Sequence, residues 1–407
     1  MNEVWVSTSV AACLVPVSIA GKSKVQARDY KPTGLYPVID QGQEQIAGWT
    51  DDESAVIDAP LPLVVFGDHT RAFKFVDAPF ARGADGTQLL RPKPEIDPLF
   101  FFYACRSIDL PARGYNRHFT VLKEKELSYP TGGDEQKAIA GVLRQTESAL
   151  QKQFDLLQML QELKQATMRE LFTRGLRGEA QKETEIGLVP EGWNVGSFAD
   201  VREWLQYGTS VHCSLQKKNY PVLRIPNVEP GKVNDAELKY CDLSDAEAGK
   251  YLLQNGDLLF IRTNGVLDRL GSCAVYDGQP EKALFASYLI RARLKPDIDP
   301  RFVAYFYASS LGTSLVAGRA TPAADGKYNL NTGTIDSLPL PLPATLDEQC
   351  EIVAILDALD RKIALHRQKR AVLEELFQSL LHKLMTGDIR VADLDLSALA
   401  QTPEATA

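Results

Sequence analysis

The tetrapeptide Ala20-Gly21-Lys22-Ser23 has the ending of a nucleotide-phosphate loop, and Val64–Asp68 (VVFGD) could pass for its acidic strand end. Such a loop needs a glycine five residues before the Gly-Lys pair, because its backbone curls around the phosphates. Pro16 stands there, with a fixed φ and no N–H to give. Nucleotide hydrolysis is set aside. His212-Cys213 could begin a metal site, but no partner follows at ligand spacing. The six cysteines, Cys13, Cys105, Cys213, Cys241, Cys273 and Cys350, contain no C-x-x-C pair. Free thiols in a reducing compartment fit that scatter better than a disulfide frame. A nuclease needs clustered carboxylates and a lysine around a metal. The nearest candidate, Pro296-Asp297, sits in a hexapeptide that recurs in the first half, so it reads as structural. The Asn/Asp-Pro-Pro-aromatic tetrapeptide expected of an adenine methyltransferase does not occur.

A further chemistry to weigh is recognition of base edges, which binding to DNA would require. Base edges are read by side chains with paired donors and acceptors, above all Arg on guanine and Asn or Gln on adenine. Glycine-punctuated segments supply them. The first half has Arg71 and Lys74, then Arg113, Asn116, Arg117 and His118. The second half has Lys217-Lys218, Arg262 and Asn264, and Lys327, Asn329 and Asn331. These thirteen are the candidate DNA-contacting residues. The bland alternative for each is a solvated loop charge or a turn-forming asparagine. Phosphate contacts should outnumber base contacts among them. Formal net charge is −8, which excludes a bulk basic footprint and confines any nucleic-acid contact to local patches.

Two long helices must position these loops. The stretch DEQKAIAGVL begins at Asp134 and DEQCEIVAIL at Asp347. A constant shift of 213 residues also superposes Leu143 on Leu356, Leu160 on Leu373, Leu171 on Leu384, Thr173 on Thr386 and Arg177 on Arg390. A register held that long marks an internal repeat. In the second copy, Ile352, Leu356, Leu359, Ile363, Leu373, Phe377, Leu380 and Leu384 step by fours and threes, with His366 and Arg370 at the middle. This is a coiled-coil seam with a polar centre. In the first copy Leu143, Leu150, Leu157 and Leu171 recur in sevens, with Lys164 taking the remaining place between Leu157 and Leu171. Thr146, Gln153 and Thr167 dilute its other seam positions.

The remaining segments are β-rich and punctuated by glycine and proline. A chain of 407 residues exceeds what one core serves; 44% hydrophobic and 24% charged residues describe an ordinary folded protein. The expected division is a first globular domain 1–133, a helix 134–178, a polar linker 179–189, a second globular domain 190–346, a helix 347–391 and a fraying tail 392–407. The globular segments echo each other. Tyr36-Pro37-Val38 matches Tyr220-Pro221-Val222, KPEIDP at Lys93 matches KPDIDP at Lys295, and Tyr115-Asn116 matches Tyr328-Asn329. The apolar run Val4–Gly21 lacks a basic lead and is broken by Ser, Thr and Pro16. It reads as a strand and turn rather than a signal peptide or membrane span.

Two variable globular segments alternate with two helices introduced by Asp-Glu-Gln. The second half opens TEIGLVPEGW at Thr184, and the copies end in LFTRGLRG and LMTGDIRV. In this order the features resemble the specificity subunit of a type I restriction–modification system, from about residue 5 to residue 391. The resemblance implies a mixed α/β (α+β) fold: two β-rich target-recognition domains separated by two long antiparallel helices that form a coiled coil, with pseudo-two-fold symmetry. It implies that each domain reads one half of a split sequence in double-stranded DNA, and that the helices set the spacing. It further implies two modification subunits and restriction subunits as partners, a cytoplasmic location and no membrane contact. The chain itself would catalyse nothing and hold no cofactor; S-adenosylmethionine, ATP and Mg would be bound by partner subunits. One departure is visible: the first half begins at MNEVW and lacks the PEGW lead-in of the second. A coiled-coil scaffold that binds only proteins is the rival reading, and it leaves the two β-rich segments without a task.

Overall fold

The repeated hexapeptides turn out to be helix starts. In the computed structural model, which describes residues 4–58, 60–83, 86–111, 117–323 and 326–395, Asp97 caps the helix Pro98–Ser107. Its Oδ1 accepts from the N–H groups of Leu99 at 3.0 Å and Phe100 at 2.9 Å. Asp299 caps Pro300–Ala308 the same way, accepting from Arg301 at 2.8 Å. Asp at the cap and Pro in the first turn are the residues a helix start selects. Both helices bury aromatic faces, Phe100 to Tyr103 in one and Phe302 to Tyr307 in the other.

The two long helices run Gly133–Arg174 and Leu346–Thr386. The chain divides into two compact units that do not follow the sequence segments: one holds 1–155 and 368–407, the other 156–367. Each unit thus takes one globular segment and half of each long helix. In the first unit, Ile139 and Leu143 share a core with Phe377, Leu380 and Leu384, while Arg370 lies 5.7 Å from the Phe154 ring. In the second, Met168 and Leu171 share a core with Ile352 and Leu356, and Leu157 and Leu160 meet Ile363. As one helix rises in number its partner falls, so each half-pair is antiparallel. The seam residues are the buried ones. Lys164, the seam's odd member, ion-pairs with Asp360 at 2.6 Å, and buried Thr146 donates to its own Val142 carbonyl at 2.9 Å.

The sheets repeat as well. In the first unit, Leu14–Val15, Thr87–Pro92, Leu63–Gly67 and Phe73–Val76 lie in that order, all antiparallel. In the second, Arg202–Tyr207, Leu289–Leu294, Leu258–Ile261 and Cys273–Val275 repeat the order, and Gly231–Val233 and Val228–Glu229 extend it. A second sheet in each unit has a parallel pair, Tyr36–Ile39 with Phe80–Arg82 and Tyr220–Leu223 with Leu284–Phe285. The unbroken apolar runs Leu63–Phe66 and Leu258–Ile261 are covered on both faces, which is why they do not alternate with polar residues. Val64 and Phe66 face one cluster, Leu63 and Val65 another; Leu258 and Phe260 face one, Leu259 and Ile261 another.

The opening strand is present in both units. Trp5–Ser9 pairs with Glu126–Pro130 as Asn194–Ser197 pairs with Pro339–Leu342. The linker differs from its polar composition. Gln181–Thr184 and Gly187–Pro190 form a hairpin, and Ile186, Val189 and Trp193 join the second unit's core beside Phe172. Ile186 and Val189, from an otherwise polar segment, dock it together with Trp193 just beyond. All six cysteines are free thiols. Among the described residues no helix is long and apolar enough to cross a membrane.

Candidate nucleic-acid interface

In the second unit the strand Leu258–Ile261 runs out into Arg262, whose carbonyl accepts from the Leu330 N–H at 2.7 Å. Thr263–Asn264 then pairs with Tyr328–Asn329, which pairs in turn with Thr321–Pro322. Two segments far apart in sequence are joined into one three-stranded apex that carries Arg262, Asn264, Lys327 and Asn329. Arg262 is half-buried in it. Its guanidinium stacks 4.8 Å from the Tyr207 ring centroid and donates to the carbonyls of Ser287 and Leu330 at 3.4 and 3.5 Å. Asn264 Oδ1 accepts from Val266 N–H at 2.9 Å, leaving its amide donors for a ligand. Asn331 is a cap: its Oδ1 accepts from Thr334 N–H at 2.8 Å and starts the helix Thr332–Asp336. Lys327, Lys217 and Lys218 are exposed, the last two outside the three strands.

The first unit builds the same junction with other residues. The turn after Leu63–Gly67 holds Arg71 at φ 62, a left-handed conformation uncommon outside glycine. Arg71 is exposed, and its Nη1 donates to Leu110 O at 2.6 Å. Across from it, the His118 N–H donates to Asp68 O at 2.9 Å and the Phe119 N–H to Asp68 Oδ1 at 2.7 Å. Arg117 is exposed beside this contact. Arg113 and Asn116 lie outside the described residues.

Two expectations are corrected here. Lys74 sits on the strand Phe73–Val76, 3% exposed, with Nζ 3.6 Å from Asp40 Oδ1. Burial pushes its ammonium below the usual lysine range despite the pull of Asp40, and it faces the interior rather than solvent. His118 is 1% exposed, and its Nδ1 lies 2.9 Å from the same Asp68 carbonyl. A carbonyl only accepts, so Nδ1 carries the proton; the ring fastens the junction.

The sequence reading missed Tyr207, which supports Arg262 and whose hydroxyl accepts from Thr332 N–H at 3.2 Å, and Tyr288, 58% exposed beside it. In the first unit it missed Gln41 and Gln43. Gln41 O accepts from the Thr70 hydroxyl, and exposed Gln43 lines a cleft of about 760 Å³ with Thr70 and Arg71. The alternating glutamines of Asp40-Gln41-Gly42-Gln43-Glu44-Gln45 were the available signal.

The fold is that of a solved type I S subunit. The structure superposes on the S subunit of a type I restriction–modification system from M. genitalium with a TM-score of 0.59. The match covers 94% of this chain and 96% of that one, at 15% identity. Residues 190–375 match the family model described as the type I restriction modification DNA specificity domain. The putative type I restriction enzyme MjaX specificity subunit of Methanocaldococcus jannaschii is 29% identical over 226 residues, 55% of this chain and 52% of that protein. The EcoKI specificity subunit of Escherichia coli K12 is 28% identical over 201 residues, 47% of this chain and 42% of that one. The matched stretch spans about half the length of these relatives. Just under half of the chain therefore carries a type I restriction modification DNA specificity domain.

Proposed function

We propose that this chain selects the DNA sequence for a type I restriction–modification complex, each unit reading one half of a bipartite site. The observation that carries the proposal is the repeated apex. In both units the loop after the central strand is hydrogen-bonded to the segment near the last strand, on the same sheet order, with different side chains presented. Arg71 and Arg117 stand on one and Arg262, Asn264 and Asn329 on the other, as two half-sites of unlike sequence require. A scaffold that bound only proteins would have no use for a preserved frame with exchanged donors.

The long helices carry the partner surface. Met159 and Leu163 are 63% and 51% exposed, and Val372 and Leu376 are 58% and 39% exposed. The 213-residue shift makes these pairs equivalent, and each places two apolar side chains one helical turn apart toward solvent. Two copies of one modification subunit would find the same foothold in each unit. The chain supplies recognition and no reaction; S-adenosylmethionine, ATP and Mg belong to the partners, and the complex works in the cytoplasm. The purified chain alone should neither methylate nor cut DNA. With modification subunits and S-adenosylmethionine it should direct adenine methylation to a bipartite site. Turnover by the lone chain, or methylation without sequence preference, would defeat the proposal.

A further inference from the structure

Behind the apex of the second unit lies a cleft of about 460 Å³, lined by His212, Arg224, Lys239, Ser287 and Tyr288 among others. Its charges are unmatched. The nearby cations of the sheet are neutralised: Arg293 by Asp257 at 2.8 Å, Arg291 by the same carboxylate at 3.6 Å, Arg202 by Asp336 at 2.7 Å. Among the described residues no carboxylate pairs with Lys218, Lys239 or His212. Arg224 gives Nη2 to the Glu237 carbonyl at 2.7 Å, while its buried Nε has no acceptor among the described residues. The Cys213 thiol at the cleft wall is raised by burial and pulled back by Arg224, Lys239 and Lys218, so the field of these cations reaches the cleft.

The cleft is continuous with the apex. The Arg262 N–H donates to Tyr288 O at 3.1 Å, and its Nη1 to Ser287 O at 3.4 Å. A side chain set against a base at the apex therefore leaves the adjoining backbone of the same duplex beside the cleft. Lysine is a point charge with three donors and no acceptor, suited to phosphate and indifferent to base identity. We infer that this cleft clamps backbone phosphates of duplex DNA flanking the half-site, with Lys239 and Arg224 as its lining cations and exposed Lys218 on the loop that leads out of its wall at Cys213. This rests on the proposed reading of the second unit and adds residues whose contribution is independent of sequence. Lys239 and Arg224 are the positioning residues; specificity stays with the apex.

The experiment measures duplex binding against salt by the complex with modification subunits, for the wild-type chain, Lys239→Ala, Lys218→Ala/Lys239→Ala and Lys239→Arg. Each lost phosphate contact flattens the slope of log K against log salt by about 0.9. The single variant should lose about one such step and the double about two. The loss should be equal on cognate and non-cognate duplexes, the methylated sequence should be unchanged, and Lys239→Arg should keep the wild-type slope. An unchanged slope in the double variant, or a loss confined to the cognate duplex, would overturn the clamp. A wild-type complex that does not bind duplex DNA would overturn the underlying reading instead.

Discussion

Arg262 has two obligations that compete. Its guanidinium is held by a ring and two carbonyls, so as the proposed DNA contact it would arrive already oriented and lose little freedom on binding. A planar fork can stack on Tyr207 and still present an edge; a lysine cannot. Arg262→Ala should therefore weaken binding to one half-site by about 1–3 kcal/mol, and Arg262→Lys should recover little of it. Competition between duplexes altered in either half reads this out; equal losses for both halves would refute it. Lys74 makes the opposite case. Burial costs its charged form more than Asp40 returns, while Asp40 keeps the Gly42 N–H at 2.7 Å. With the folded pKa below the unfolded one, the unfolded chain binds more protons as pH climbs toward 10.5. Stability therefore rises with pH across that window. Lys74→Met should melt within about 1 kcal/mol of wild type at neutral pH, abolish that rise and leave DNA binding intact. A loss of DNA binding without unfolding would restore Lys74 to the interface. Residue type alone suggested an exposed cation here. The sequence does place Lys74 on one strand face with buried Val76, but nothing local says that this face meets Asp40 of a strand end thirty-four residues away.

The phrase Asp-Glu-Gln occurs twice because its glutamine is a clasp. Gln136 Oε1 accepts from the Asp97 N–H at 2.7 Å, and its Nε2 donates to Glu95 O at 3.1 Å and Pro130 O at 2.8 Å. Gln349 accepts from the Asp299 N–H at 2.9 Å and donates to Asp297 O at 3.4 Å. Both glutamines are buried, and each ties a long helix to the capped start of an aromatic helix. A second tie follows about three turns further along each long helix, where Tyr103 donates to Glu147 at 2.8 Å and Tyr305 to Asp360 at 2.7 Å. Periodicity made the long helices legible, and both repeated motifs stood out. That one grips the other was not legible, because the partners lie about forty to fifty residues apart and contact through backbone atoms that carry no sequence signature. Gln349→Leu strands a buried N–H and a carbonyl, each worth about 1–3 kcal/mol when left unpaired. The expected result is a urea midpoint lowered accordingly. A change below about 0.5 kcal/mol would mean that water or a shifted backbone replaces the clasp.

At the scale of the molecule, each long helix passes from one unit to the other at nearly equivalent places. The division falls at 155/156 in the first helix and 367/368 in the second, within one residue of what the 213-residue shift requires. The repeat could be read from the sequence, whereas the exchange of helix halves could not, since no local pattern marks a mid-helix boundary. The location has a functional consequence if the helices set the distance between half-sites. Seven residues inserted into each helix, near Gln153 and His366, keep the seam in phase and leave each unit's own packing away from the insertion. They add about 10 Å at 1.5 Å per residue, or about three base pairs at about 3.4 Å each. Assembled with modification subunits, the insertion variant should methylate the same two half-sequences with a correspondingly longer unspecified gap. Its activity should fall, because three base pairs also rotate one half-site about the duplex by about a third of its helical turn. Mapping methylated adenines measures both effects at once. Full activity at the original gap would show that the helices do not act as the ruler. The repeat would then serve only to present two like surfaces to two like partners.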